Sequence, residues 1–437
     1  MKLKILILLT ITSFVSISAQ KMWTLEQCID TALANNRNIR QQQLMYKSKE
    51  IAYKQSKNDL LPNLSGSINQ NFGFGRSLDD NYNYVNSNSI GTSFGLGTSL
   101  TLFDGKKMKY NIEAKKTELL ASGADLEKVE KDIILNVSTV FLQTLQNKEL
   151  LKNAETQLSI TRENIERRKE LINAGKLAEG EIYELLAQEA KEELSRVQAE
   201  NNVKLSLLDL AQVMNLEQGN DLDVIVPENL FQNELSVLSS NEVYNSAVQN
   251  RPEIKSAQFR LQTSEKNVEI AKSYYFPKLS LSANVGTGYN NLAVDLQAPT
   301  EKYPFGKQLS DKLSSSVGLS LDIPIFDKFQ TKSNIENAKL DVENTKIEID
   351  KAKLELRKSI EQAYYNAIAA KNRWESAQKS VKASEESFRF ASQKFEAGRA
   401  TQFETNQAKT NVTQAVSEQT QAKYEYVFRL KLLELMK

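Results

Sequence analysis

The chain contains no histidine and one cysteine, Cys28. A disulfide within the chain is therefore impossible, and neither a zinc site nor a thiol or imidazole catalytic centre has the residues it needs. There is no excess of one charge either: 56 basic and 55 acidic residues leave a net charge of +1, which gives no footprint for nucleic acid. After the first seventeen residues no apolar run is long enough for a transmembrane helix, so any membrane role falls to strands. Proline and glycine are missing from the whole stretch between Asp327 and Gly398, where nothing breaks a helix. No cofactor is expected.

Period-two and heptad patterns alternate along the chain. In Ser315-Ser-Val-Gly-Leu-Ser-Leu-Asp-Ile-Pro-Ile-Phe-Asp327, Val317, Leu319, Leu321, Ile323 and Ile325 share one parity, with Gly318, Ser320 and Asp322 on the other. That is a strand with one apolar face. After Asp327 the period becomes seven: Val342, Ile349, Leu356, Ala363, Ala370 and Ala377 form one column of a long helix packed as in a coiled coil.

The chain repeats this plan. Leu102-Phe103-Asp104 matches Ile325-Phe326-Asp327 and Gly175 matches Gly398, both at an offset of 223, and the heptad column recurs as Leu119, Leu126, Ile133, Val140, Asn147 and Ala154. Upstream the offset is 215, where Ala32, Asn35, Ile39, Lys57, Pro62 and Leu64 match Ala247, Asn250, Ile254, Lys272, Pro277 and Leu279. A repeat of this size is a tandem duplication of a structural unit. The first repeat, residues 20–238, reads as a helix over Trp23 to about Asn58, a β-hairpin over about 63–103, a long helix over about 105–174, a return helix over about 177–214 and an irregular linker to about 238. The long helix is roughly 100 Å at 1.5 Å per residue. The second repeat, residues 239–437, reads as a helix to Ser273, a hairpin over about 279–326, a long helix over about 328–397 and a return helix over about 400–437. Thr24 with Gln27 predicts a capping box for the first helix. Residues 76–89 and 292–311 read as polar loops. Residues 1–19 read as a secretory signal: Lys2 and Lys4, an apolar run, then small Ser18-Ala19.

Each repeat offers two membrane-type strands. Four such strands cannot close a barrel, because the smallest single-layer membrane barrels have about eight. An open edge in lipid leaves backbone groups unpaired at several kcal/mol each. Pooling strands between chains solves this; a ring of three gives twelve strands, and symmetry leaves two and four open as well.

The signal, the duplicated halves, Leu-Pro-x-Leu at 61–64, Phe-Pro-x-Leu at 276–279, Leu-Phe-Asp and Pro-Ile-Phe-Asp before the long helices, and the two tip glycines together resemble the TolC-like outer-membrane efflux proteins. The resemblance covers essentially the whole mature chain. It implies a mainly α fold with a membrane β-barrel part: a homotrimer with a twelve-stranded barrel in the outer membrane, continued by an α-helical tunnel across the periplasm. It implies a passive channel for tripartite efflux or type I secretion. Its partners would be a periplasmic adaptor (membrane fusion) protein, an inner-membrane pump or ABC transporter, and outer-membrane lipid. It leaves Asn215 to Leu238 as the main material for a mid-tunnel belt.

By the same resemblance, Glu181 and Glu404, each six residues past a tip glycine, mark a periplasmic constriction, with Glu184 three residues on from Glu181. Rings of carboxylates favour cations in a narrow pore. The plainer reading makes these ordinary solvated helix residues. Gly175 with Lys176 and Gly398 with Arg399 are the implied adaptor contacts; on physical grounds alone they are helix caps with solvated cations. Phe103, Tyr274, Tyr275, Phe276 and Phe326 flank the strand–helix junctions, as membrane-interface aromatics do, or as packing between barrel and tunnel. Asp104 and Asp327 precede the long helices and read as caps, not acids. A structural or adhesive coiled-coil protein is the alternative; the paired strands argue against it, since a stalk needs no lipid-facing sheet. An enzyme finds no convergent constellation in this sequence.

Overall fold

A computed structural model describes residues 21–78, 82–86, 88–216, 222–225, 239–295 and 298–437. The expected signal at 1–19 and most of the linker lie outside these residues.

Strand β1 (Lys21–Trp23) leads into helices α1 (Leu25–Asn35) and α2 (Arg37–Asn58). Thr24 caps α1 in a capping box with Gln27, as expected. The single helix expected over 23–58 is in fact two. Asn36 leaves the helical conformation and its Oδ1 accepts from the N–H groups of Asn38 (2.8 Å) and Ile39 (3.3 Å), so it ends one helix and caps the next. Then come β2 (Asn63–Gly73), a small hairpin β3 (Arg76–Leu78) and β4 (Tyr84–Asn86) inside the expected loop, β5 (Ser89–Phe103), α3 (Lys107–Asn173) and α4 (Glu181–Val213).

Strand β6 (Leu222–Val224) lies in the linker and pairs in parallel with β1. The second repeat follows with α5 (Ser240–Asn250), α6 (Pro252–Ser273), β7 (Lys278–Asn290), β8 (Val294–Asp295), β9 (Ala298–Lys302), α7 (Phe305–Asp311), β10 (Ser314–Asp322), α8 (Gln330–Glu396) and α9 (Gln402–Leu435). The expected loop at 292–311 thus carries a short ladder and a helix. The last strand ends four residues before Phe326, because Pro324 has no N–H to give a ladder.

The duplication holds to the residue. Helices α3 and α8 are both 67 residues long and start 330 − 107 = 223 apart. Helices α1 and α5 start 240 − 25 = 215 apart, as do α2 and α6 (252 − 37 = 215), with equal lengths in each pair. Pro252 stands at the first position of α6, where its missing N–H costs nothing. The break at Asn36 is the same joint in the first repeat.

The chain divides into two compact units, and each draws on both repeats. One comprises residues up to Gln42, Leu126–Arg251 and Leu354–Lys437. Its core joins Cys28, Ala32 and Ile39 to Val137, Phe141 and Leu145 of α3, Leu210 and Met214 of α4, Val224 of β6 and Tyr424 of α9. Lys148 reaches from α3 to Asp223 (2.6 Å) and to the carbonyl of Val224 (3.1 Å), fastening the small sheet to the helices. In α8 the expected column is the inner one: Ile349, Leu356, Ala363 and Ala370 are buried. In α3 the most buried column is displaced by four residues, to Val137, Thr144, Leu158 and Ile165. There α3 has α1, α4 and α9 against it, so a wider face is covered than one heptad column provides.

The other unit comprises Gln43–Asp125 and Pro252–Lys353. It holds one four-stranded antiparallel sheet of order β10-β7-β5-β2. The two hairpins are joined through β5 and β7, one from each repeat, leaving β10 and β2 as outer edges. No helix among the described residues is long and apolar enough to cross a membrane.

Candidate functional site

The sheet has two chemically opposite faces, and the strand register assigns them. One row of cross-strand neighbours runs Leu64, Thr98, Ala283, Val317; another runs Leu100, Leu281, Leu319; Ile68 lies opposite Phe94, and Leu279 opposite Leu321. The alternate row runs Ser65, Gly97, Asn284, Ser316, and its neighbours are Ser67, Gly95, Ser99, Ser282, Gly318 and Ser320. The polar face of these strands carries charge only at one end, where Lys278 and Asp322 stand opposite each other. Leu64, Ile68, Val317, Leu319 and Leu321 are all exposed. An exposed Leu/Ile/Val face backed by a Ser/Asn/Gly face is the pattern of a strand with lipid on one side and water on the other. From Leu279 to Tyr289 the parity that carries the apolar residues of β7 spans ten residue-to-residue steps. At ~3.3 Å per residue and a tilt of ~40° that is ~25 Å, the height of an outer-membrane apolar band.

Beyond Ser314 the strand β10 no longer covers β7, and α7 closes the gap. Gln308, almost wholly buried, imitates a strand there. Its Oε1 accepts from the N–H of Asn290 (2.9 Å) and its Nε2 donates to the carbonyl of Asn290 (3.0 Å) and to that of Tyr303 (2.9 Å). Tyr289 packs on Phe305, and Thr287 donates to the carbonyl of Leu309.

The five expected interface aromatics are all exposed on this unit. Phe103 ends β5 opposite Leu279, and Tyr274, Tyr275 and Phe276 form the turn into β7. Phe326 sits edge-on to Phe329 at 5.7 Å, and with Tyr274 and Tyr275 it lines one cleft. Lys107 lies over the Tyr274 ring and donates to its hydroxyl (2.7 Å). Sequence reasoning did not single out the opposite end of the strands, where Phe72, Phe74, Tyr82 and Tyr84 are also exposed.

Both strand-to-helix junctions turn through two successive left-handed residues, Gly105 and Lys106 in one repeat and Lys328 and Phe329 in the other. Asp104 and Asp327 then accept from the N–H groups of Met108 (3.0 Å) and Thr331 (2.7 Å), which gives both the capping role expected of them.

The helical tips lie in the first unit. Gly175 and Gly398 are left-handed, with φ of 71° and 69°. Each closes a Schellman motif: Lys176 N–H to Leu171 O with Gly175 N–H to Ile172 O, and Arg399 N–H to Lys394 O with Gly398 N–H to Phe395 O. Lys176 and Arg399 are exposed there. Arg168 links the two tips, bonding Gln402 and lying over the Phe395 ring.

The three acids differ in their surroundings. Glu404 closes a capping box: its carboxylate accepts from the N–H (2.7 Å) and hydroxyl (3.2 Å) of Thr401, which hold it below the usual carboxylate range. Glu184 is exposed on α4. Glu181 is the first residue of α4, and its side chain lies outside the described set. Ala178 stands where the second tip has Thr401 (401 − 223 = 178), so α4 lacks the equivalent cap.

Comparison with known proteins agrees with this geometry. The family model for outer membrane efflux protein matches residues 28–216 and 243–435, one span in each repeat. The "Toxin and drug export protein A" of Aggregatibacter actinomycetemcomitans is 21% identical over 367 residues, 81% of this chain and 73% of that protein. The "Solvent efflux pump outer membrane protein SrpC" of Pseudomonas putida is 24% identical over 325 residues, 72% of this chain and 64% of that protein. The open-state MtrE outer membrane channel of Neisseria gonorrhoeae shares the fold at a TM-score of 0.74, with 21% identity, over 94% of this chain and 88% of that one. With both repeats matched and the fold shared nearly end to end with a solved outer-membrane channel, the chain belongs to the outer membrane efflux protein family.

Proposed function

We propose that three copies of this chain close their sheets into one twelve-stranded barrel in the outer membrane and pass cargo outward through a duct lined further in by their helical hairpins. The observation that carries this is the sheet itself. Its apolar face is too exposed for water, and its outer strands β2 and β10 each have one unpaired edge. Strand directions alternate from β10 to β2, so β10 of one copy and β2 of the next meet antiparallel. Head-to-tail pairing then continues the ladder without a break, and ring closure removes every edge. Three copies of four strands make twelve, within the range of membrane barrels.

The polar face becomes the wall of the passage. Apart from the opposed Lys278 and Asp322 at one end it is mainly Ser, Asn and Gly, so the membrane section would do little to sort cargo by charge. Sorting would then fall to the tips. We place the constriction at Glu181, Glu184 and Glu404, and the adaptor contact at Gly175, Lys176, Gly398 and Arg399. The aromatics at the junctions, Phe103, Tyr274, Tyr275, Phe276 and Phe326, would rest at the inner membrane surface. A periplasmic adaptor and an energised pump or ABC transporter in the inner membrane would supply cargo and energy. Conduction requires no bond to be made or broken, so no residue is given a catalytic role.

Purified protein in planar bilayers tests this. The expected result is trimers by native mass, with conductance that rises in Glu404→Ala. Absence of conductance in both the parent and Glu404→Ala would end the channel reading. A rise in Thr401→Ala equal to that in Glu404→Ala would show the acid acting through its cap and not as a charge in the pore.

A further inference from the structure

The seam between α3, α4 and α9 is built of Leu158, Ile165, Leu185, Ala408 and Ala415, all buried, and one polar cluster interrupts it. Glu192 of α4 is only 7% exposed. Its Oε1 accepts from Gln188 (2.8 Å) and from Gln157 of α3 (3.3 Å), while its buried Oε2 has no protein partner. From α9, Lys409 donates to Thr161 of α3 (2.7 Å), whose own hydroxyl bonds the carbonyl of Gln157 (3.2 Å). The two sides meet at Gln157 of α3, whose backbone carbonyl accepts from Thr161 and whose side-chain amide donates to Glu192. Asn406, one turn before Lys409, also buries an amide nitrogen without a protein partner.

This arrangement is a poor way to gain stability. An incompletely bonded buried carboxylate carries a desolvation cost, and apolar residues of similar volume are often as stable or more so. The repeat supplies those apolar residues. At the offset of 223, Glu192 corresponds to Ala415 (415 − 192) and Lys409 to Leu186 (409 − 186). The cluster is thus a place where the duplicated halves differ in chemistry, in return helices of nearly equal length, 33 and 34 residues. Heptad packing leaves an ambiguity of level: α9, which also meets α8 through Arg373–Glu425 (2.7 Å) and the stacked rings of Trp374 and Tyr426, could slide by a heptad along α3. A buried polar group that is bonded in only one arrangement penalises the others.

We propose that Glu192, Gln157, Thr161 and Lys409 form a register determinant that fixes the level at which α9 seats along α3. Sliding α9 by one heptad would carry the ammonium away from Thr161 into the Leu/Ala seam. The displaced register buries an uncompensated charge. This role is independent of transport and applies to the isolated chain as well as to any assembly.

The test separates register from stability. Asn153 of α3 and Thr420 of α9 bond at 3.1 Å and report the register. In a Cys28→Ser background, Asn153→Cys and Thr420→Cys are bridged with a short bis-maleimide. The expected result is efficient bridging with the cluster intact. In Glu192→Ala/Lys409→Leu, which exchanges each charged residue for its counterpart in the other repeat, bridging falls roughly threefold or more while the thermal midpoint holds or rises. Glu192→Ala alone lowers the midpoint, since it leaves Lys409 without its counter-charge. Should the double variant fail to fold, Glu192→Gln/Lys409→Met, uncharged and close in shape, carries the same expectation. Undiminished bridging in the folded uncharged variant overturns the proposal.

Discussion

Substituting alanine for Gly105 separates two costs that are usually confounded. Gly105, Gly175 and Gly398 have nearly the same backbone conformation, with φ of 67°, 71° and 69°. An L residue in that region costs roughly 1–2 kcal/mol wherever it stands. Their surroundings differ. A Cβ on Gly175 or Gly398 would meet nothing within 4 Å. A Cβ on Gly105 would lie 2.6 Å from Phe276 Cβ and 2.8 Å from the carbonyl oxygen of Ser273. Neither neighbour is the far end of a flexible side chain, and the Ser273 carbonyl is already bonded by the N–H of Phe276 in the turn before β7. Relief therefore needs backbone movement, which adds roughly 1–3 kcal/mol, as overpacking does. Gly105→Ala should destabilise by about 2–5 kcal/mol in all, and Gly175→Ala or Gly398→Ala by about 1–2. Denaturation of the three purified variants, followed by far-UV circular dichroism under one set of conditions, gives the ranking. If Gly105→Ala matched the two tip variants, the close approach of the α6–β7 turn to the strand-to-helix junction would be wrong.

Gln308→Ala should leave the N–H of Asn290 without its partner, while the carbonyl keeps the N–H of Ala293. At about 1–3 kcal/mol for a buried unpaired group, hydrogen exchange at Asn290 should speed up by ten- to a hundredfold or more, while exchange at Leu281 stays unchanged. Cys28 is fully buried, and burial pushes its thiol up to about 12, so maleimide should not label it at pH 8 unless the protein is first unfolded. The cap at Glu404 has a defined pH sense. Because its folded pKa is depressed by Thr401, the cap's contribution is complete above the unfolded carboxylate value of about 4.3 and is lost as pH falls through the lower folded value. Exchange of the first-turn amides of α9, corrected for intrinsic rate, should therefore quicken on acidification below about pH 4 in the parent and show no such step in Glu404→Gln.

Much of this fold was legible because two signals are local and strong. The period of two in Val317 to Leu321 and the uninterrupted heptads after Asp327 need no tertiary context, and the offsets of 223 and 215 then supplied the second copy. What escaped depends on distant partners or on one side chain. Strands β1 and β6 are three residues each and pair across 222 − 21 = 201 residues, with no local pattern to announce them. The joint at Asn36 did carry a signal, Pro252 at the matching place of the other repeat, which alone argues that the helix restarts there. Helix α7 owes its place to Gln308, whose amide copies a strand's bonds; nothing in a glutamine's neighbours along the chain foretells that. At the tips the sequence located the glycines but could not tell that Glu404 would be tied to Thr401 while the start of α4 carries no such cap. That difference rests on a threonine present at only one of the two turns.

The central ladder of the sheet joins β5 to β7, and its last pair, Phe103 with Leu279, bridges 279 − 103 = 176 residues of intervening chain. During synthesis the earlier hairpin therefore emerges long before its neighbour exists, with an apolar flank and a bare margin. Closing so long a loop is slow, and such a hairpin is adhesive while it waits. A chain halted after its first half would have every residue of one repeat and still nothing fit to enter a bilayer, so insertion has to wait for the second hairpin, whose last strand ends only at Asp322.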